Sequence, residues 1–270
     1  MAIFDFHKFP FWKLLFIILA FISFGAAIYF YFSSKMIQNT DQVIFLSDTE
    51  TQDVLNQDAD HYYQTFHKVD LKVRKSKNLQ DYLAKIAKSG CEGSEENKEK
   101  IIDCIEKVNK QLHNKRSDTV EGINIGSLLD LPWKIGFTCD KFYENGLPHT
   151  RGDVIILNNL DIERRNMVEM CRLLIHEKVH VYQKSSYKEE FQKSLETKYE
   201  KTDKLRDAHN APANPDIDAH IYRKKDDDTL MDSIYSKNPK HFRDVIFPNN
   251  DHTLEHPFES VAYSLENLYS

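Results

Sequence analysis

The sequence predicts an α+β fold: a small mixed sheet packed on one long helix, a mostly helical remainder, and one N-terminal transmembrane helix ahead of both. Three observations carry this. Leu14 to Phe32, LLFIILAFISFGAAIYFYF, holds no charge. Trp133 to Thr138 (WKIGFT) and Asp153 to Leu157 (DVIIL) are short runs rich in strand formers. Around them lie segments whose apolar residues recur at three- and four-residue steps, the helical period.

The uncharged run comes first along the chain. A helix of its length spans about 28 Å, close to the hydrocarbon thickness of a bilayer. Lys13 and Lys35 bracket it, and Phe11, Trp12, Tyr29 and Tyr31 supply interfacial aromatics. It has no polar face, unlike a core helix, and it ends in bulky aromatics rather than the small residues of a cleavage site. Residues 1–35 are therefore expected to form an uncleaved anchor, in contact with the lipid bilayer through residues 14–32. Lys8 and Lys13 before the span, against Lys35 after it, favour placing the bulk of the chain on the non-cytoplasmic side. Residues 36–70, polar and weakly periodic, read as a stalk or linker, and residues 71–270 as one large domain.

A composition of 41% hydrophobic and 29% charged residues is that of a globular chain able to bury a core. The net charge of −6 leaves no case for nucleic-acid binding, and the basic run KVDLKVRKSK from Lys68 reads as solvated surface. Among Cys91, Cys104, Cys139 and Cys171, the first two flank one short hydrophilic loop and a helix start, so they are the expected pair if a disulfide forms.

Asn78 to Lys88 reads as an amphipathic helix ended by Ser89-Gly90. Glu95 to His113 carries Ile101, Ile105, Val108 and Leu112 on one face. Between the two strands, Asn145-Gly146 suits a tight turn. Asp161 suits the N-cap of the next helix, whose Val168, Cys171, Ile175, Val179 and Tyr182 form an apolar stripe that would bury against the sheet.

Beside that stripe stands His176-Glu177-Lys178-Val179-His180, an HExxH pattern. Spacing of i,i+4 stacks both imidazoles on one helix face, where they can reach a single metal, and Glu177 lies one step round the helix. A lone histidine on an apolar face is usually a satisfied core residue; two enclosing a glutamate reverse that expectation. A catalytic zinc takes three protein ligands and keeps one position open. His180 is followed by VYQKSSYKEE, so no third histidine comes from an HExxHxxGxxH extension. A carboxylate from a later helix remains. Glu259 in HPFESVAY is the first candidate, with Pro257 at the helix start and Phe258, Val261, Ala262, Leu265 and Leu268 marking the buried face. Glu255 and His256 come next, then Glu190 and Glu196. Glu259 as a plain helix-terminus acid is the competing reading.

HEKVH with a downstream ExxA-type helix resembles the gluzincin group of zincin metallopeptidases. GLPHTRGDVIIL, HEKVHVYQ, NPDID and EHPFESVAY are similar to zincin-like proteins carried by large DNA viruses, and the likeness covers about Lys72 to Ser270. The resemblance implies a zincin-like fold, Zn2+ dependence and hydrolysis of a protein or peptide substrate. In that scheme His176, His180 and Glu259 hold the metal, and Glu177 takes a proton from the water the metal activates. Oxyanion stabilisation falls to one of His256, Tyr263, Tyr222 and His149. Asn214, Arg151 and Tyr222 are candidates for lining the substrate cleft. A strand near the active helix would pair with an extended substrate by edge addition. Lys178 departs from the usual uncharged residue, which the sequence accommodates by placing it at the cleft edge. A catalytically inactive zincin-like membrane or virion protein, acting as a binding module, is the alternative; retention of Glu177 speaks for an enzyme.

Overall fold

The computed structural model describes residues 43–269, so the anchor expected over residues 14–32 lies outside the described part. Among the described residues no helix is long and apolar enough to cross a membrane.

The first strand, β1 (Val43–Phe45), leads into helix α1 (Asp48–Gln57), whose Ser47 cap and Glu50 satisfy each other's backbone amides in a capping box. Helices α2 (Lys68–Val73) and α3 (Leu79–Ile86) follow, then strand β2 (Gly90–Cys91) and the long α4 (Glu95–His113), capped by Ser94. A small hairpin, β3 (Thr119–Val120) and β4 (Ile123–Asn124), precedes α5 (Ile125–Asp130). Strands β5 (Trp133–Thr138), β6 (His149–Arg151) and β7 (Val154–Asn158) complete the main sheet. Helices α6 (Asn159–Arg164), α7 (Met167–Lys184) and α8 (Lys188–Leu195) come next. Then come strands β8 (Tyr199–Leu205), β9 (His220–Lys224) and β10 (Leu230–Met231), a second antiparallel sheet, and the ribbon of β11 (Ile234–Tyr235) and β12 (Val245–Ile246). Helix α9 (Pro257–Glu266) ends the fold. The architecture is α+β.

The main sheet is mixed and ordered β1-β5-β7-β6, with β2 also against β5. β1 and β7 run parallel to β5, while β6 runs antiparallel to β7 and forms the edge. Both faces of β7 are covered, which suits its unbroken apolar run. Ile155 and Leu157 join Ile135 and Phe137 under α7 and α4, whereas Val154 and Ile156 face Leu55, Tyr62, Tyr63, Tyr82 and Tyr143. From α7 the buried face is Met170, Cys171, Leu174, Ile175, Val179 and Tyr182, with α4 contributing Ile101, Ile105, Val108 and Leu112. Val168, expected in that stripe, is 48% exposed, because it lies in the first turn, before the helix meets the core.

Four expectations are corrected here. The stalk assigned to residues 36–70 is, from Val43 onward, part of the folded body: β1 pairs with β5, and Leu55, Tyr62 and Tyr63 lie in the core. The basic run after Lys68 is not all surface, because Arg74 is buried in an ion pair with Asp70 and Glu144. Asp161 caps nothing; the segment breaks into two helices, capped by Asn158 and Asn166, and Asp161 pairs instead with Arg165. Cys91 bonds Cys139, which the β2–β5 ladder brings alongside, and Cys104 bonds Cys171, tying α4 to α7. Sequence proximity of Cys91 and Cys104 gave no guide, because Cys104 lies on the buried face of α4, three turns into the core.

Candidate metal centre

Helix α7 starts firmly. Asn166 accepts from the amide of Glu169, and the Glu169 side chain accepts from the amide of Asn166. That fixes the register that turns His176 and His180 toward α9. On α9 the His256 cap, Pro257 at the first position and fully buried Ala262 let the two helices approach closely. The result brings three donor atoms together. His176 Nε2 and His180 Nε2 stand 3.1 Å apart, and Glu259 Oε2 lies 3.2 Å from the first and 3.6 Å from the second. Donors about 2.05 Å from a tetrahedral ion are separated by about 3.3 Å, so the triangle already has the edges that such an ion requires. Among the described residues these three form the cluster able to hold a metal.

The tautomer of His180 is set by its neighbour. Gln183 Nε2 donates to the carbonyl of Phe258 at 3.0 Å, which leaves its Oε1 facing His180 Nδ1 at 2.8 Å. That oxygen can only accept, so Nδ1 carries the proton and Nε2 presents a lone pair to the centre. Glu266 Oε2 lies 3.3 Å from His176 Nδ1, an ionic contact too poorly aligned to count as a hydrogen bond. Asn214 Nδ2 donates to Glu259 Oε1 at 2.9 Å, turning Oε2 inward. Burial works against a charge on either imidazole. Yet Glu259 and Glu266 around His176, and Asp216 and Glu259 around His180, hold both above the ordinary histidine value. Burial also opposes ionisation of Glu259, but the imidazoles, His180 first, hold it well below the ordinary carboxylate value. A field that favours a proton here also favours a cation, and two nitrogens with one carboxylate oxygen suit a divalent transition ion.

Glu177 is buried beside the centre, and burial, with the charge of Asp216 adding to it, pushes its carboxyl up to about 7. Thr150 Oγ1 lies 3.1 Å from Glu177 Oε2. All of this lines or adjoins a cleft of about 710 Å³ whose walls include His176, Glu177 and Glu259, with Leu147, Phe242 and Phe247 as apolar surface.

The other expected site residues divide. Asn214 and Tyr263 line the cleft, and the Tyr263 ring packs edge-on against His176 at 4.8 Å between centroids. The Tyr263 hydroxyl makes no hydrogen bond among the described residues, and burial raises its pKa, keeping it a proton donor. His256 does not face the cleft: fully buried, it accepts from the amide of Phe258 and donates to Asp218, and so works as a helix cap. Tyr222 is turned the same way, its hydroxyl on Asp218 at 2.7 Å. Arg151 is 2% exposed and locked to Asp58 and Asp60, away from the cleft that holds His176 and Glu259. His149 reaches the cleft wall, but both ring nitrogens are occupied, by the Leu147 carbonyl and the Tyr143 hydroxyl.

Lys178 is not at the cleft edge. It points to the rear of α7, where its ammonium sits 4.3 Å over the Trp133 ring and donates to the carbonyls of Leu131 and Pro132. The lysine that looked awkward in the motif is therefore a core contact, and burial pushes its pKa down to about 7.

The edge strand also differs from expectation. The outward amide of Thr150 on β6 donates to Asp216 Oδ1 at 2.9 Å, its carbonyl accepts from Lys184 Nζ at 2.6 Å, and Lys184 and Asp216 pair at 3.1 Å. Strand addition at this residue is thus closed by side chains. Gln183, Glu266 and Thr150 went unmarked in the sequence, and Asp216 entered only within NPDID. The first two had a signal: Gln183 is one turn past His180, and Glu266 two turns past Glu259 on the same face. Thr150 had none. No family model, curated protein or solved structure matches the chain.

Proposed function

We propose that the chain is a membrane-anchored, zinc-dependent metalloendopeptidase of zincin type, with His176, His180 and Glu259 as the zinc ligands. The observation that supports it is the convergence of these three donors from two helices onto one cleft, with Glu177 beside them. Zinc bound there supplies Lewis acidity, activating water and polarising a carbonyl. Glu177, buried beside the three donors, takes the proton of the attacking water and delivers it to the leaving amine. Tyr263, the cleft-lining candidate whose hydroxyl has no hydrogen bond among the described residues, is the donor assigned to the charge that develops on the carbonyl oxygen. Gln183 and Asn214 keep the ligands oriented. Two disulfides favour an oxidising compartment, in keeping with a non-cytoplasmic domain behind an anchor at residues 14–32.

The clasp on β6 favours one second reading, a zincin-like binding module that admits no extended chain. Metal analysis and peptide cleavage by the full chain and by Glu177→Gln separate the two. The peptidase reading expects about one zinc per chain in both and cleavage only by the wild type. Bound zinc with no cleavage by either supports the module, and protein that takes up no zinc ends both readings.

A further inference from the structure

We propose that Thr150 is the positioning residue of Glu177, holding one carboxylate oxygen so that the other faces the cleft; this rests on the hydrolase reading above. Thr150 is fully buried on β6 and is not part of the cleft wall, so it cannot touch a substrate. Its Oγ1 lies 3.1 Å from Glu177 Oε2 and 3.2 Å from the Glu177 carbonyl. The hydroxyl has one proton, and the charged carboxylate is the stronger acceptor. A glutamate side chain has three rotatable bonds, and a hydroxyl held against one carboxylate oxygen restricts the orientations open to the other.

Thr150 can act as an anchor because its own backbone is fixed on the side facing away from β7. Asp216 accepts from its amide and Lys184 donates to its carbonyl. Lys184 and Glu177 both belong to α7, two turns apart, so helix and strand are stitched at two points: a carboxylate at one and an ammonium at the other. The loop that brings Asp216 is itself held from behind. Ala213 donates its amide to Asp70, and its carbonyl accepts from Tyr62 and Arg74. The base is thus aimed by the edge strand rather than by its helix alone, a supporting arrangement that leaves less to chance than rotamer preference.

The test uses the zinc-loaded full chain. Thr150→Val removes the hydroxyl at nearly constant volume, and Thr150→Ser retains it. We expect kcat to fall about tenfold or more in Thr150→Val with KM within about twofold, and Thr150→Ser to stay within about threefold of wild type. A crystal structure of zinc-loaded Thr150→Val should show the Glu177 carboxylate displaced by about 1 Å or more; Thr150→Ala replaces it if the valine variant does not fold. An unmoved carboxylate overturns the proposal, as does an equal loss of kcat in Thr150→Ser and Thr150→Val. If the wild type cleaves nothing, the hydrolase reading falls, and the crystallographic comparison still decides whether Thr150 aims the carboxylate.

Discussion

Gln183 accepts from His180 Nδ1 at 2.8 Å while its own amide donates to the carbonyl of Phe258, so one side chain both sets the tautomer of His180 and joins α7 to α9. Replacing it by leucine removes both functions and leaves the buried His180 Nδ1–H without a partner. Zinc affinity should drop about 10- to 100-fold, the usual effect of losing such a supporting group. Competition against a chromophoric chelator measures it, and unchanged affinity would remove Gln183 from the site.

Tyr263→Phe should keep zinc and reduce kcat about 100-fold or more, the scale of one lost oxyanion donor. His256→Asn is the contrast: that residue caps α9 and contacts Asp218, so its substitution should lower the melting temperature and leave kcat near wild type. Equal kcat losses in the two variants would contradict this division.

Arg151 should prove structural. Arg151→Met strands Asp58 and Asp60 in a largely buried position, and a broken buried pair costs about 3–5 kcal/mol. Urea denaturation should register that loss while the remaining folded fraction binds zinc normally. A raised KM at unchanged stability would return Arg151 to the substrate.

Acid should weaken the fold in two stages. Burial depresses the pKa of His256, so below about 6.5 the unfolded chain takes up a proton that the folded one refuses, and stability falls with pH. Burial opposes ionisation of Asp218, but hydrogen bonds from His256 and Tyr222 hold its carboxyl well below the ordinary value. Its contribution is therefore complete above about 4 and lost as pH falls through the folded value. Melting curves from pH 8 to 3 should show the first stage and the onset of the second, and Asp218→Asn should abolish that onset.

The disulfide between Cys104 and Cys171 closes a long loop, 67 residues in sequence separation, for which chain entropy gives about 4 kcal/mol. Replacing both cysteines by alanine should remove about 2–4 kcal/mol of stability in urea. Loss of under about 0.5 kcal/mol would show that α4 and α7 hold together by packing alone.

What the sequence made legible was local. His176, Glu177 and His180 follow from i,i+4 geometry, and β5 and α4 carry their own periodicities over the residues they occupy. Glu259 was legible one step further out, because Pro257 and the apolar residues of α9 phase the helix. Reading failed where a charge finds its partner far along the chain. Arg151 reaches Asp58 and Asp60, some 90 residues upstream, and Arg74 reaches Glu144, 70 residues downstream. His256 and Tyr222 look catalytic until Asp218 is placed between them. Cysteine pairing and the clasp on Thr150 likewise depend on which elements become neighbours, which spacing does not encode.

The ion pairs behind the cleft also decide where the chain can be cut. Asp58, Asp60, Tyr62 and Asp70 all precede residue 71, yet they neutralise Arg151, contact Arg74 and carry the loop that ends in Asn214 and Asp216. A truncation at residue 71 would discard the supports of the far wall while keeping every residue of the HExxH helix. The portable unit starts at Val43, and fragments that look sufficient by motif alone would lack the scaffold that aims it.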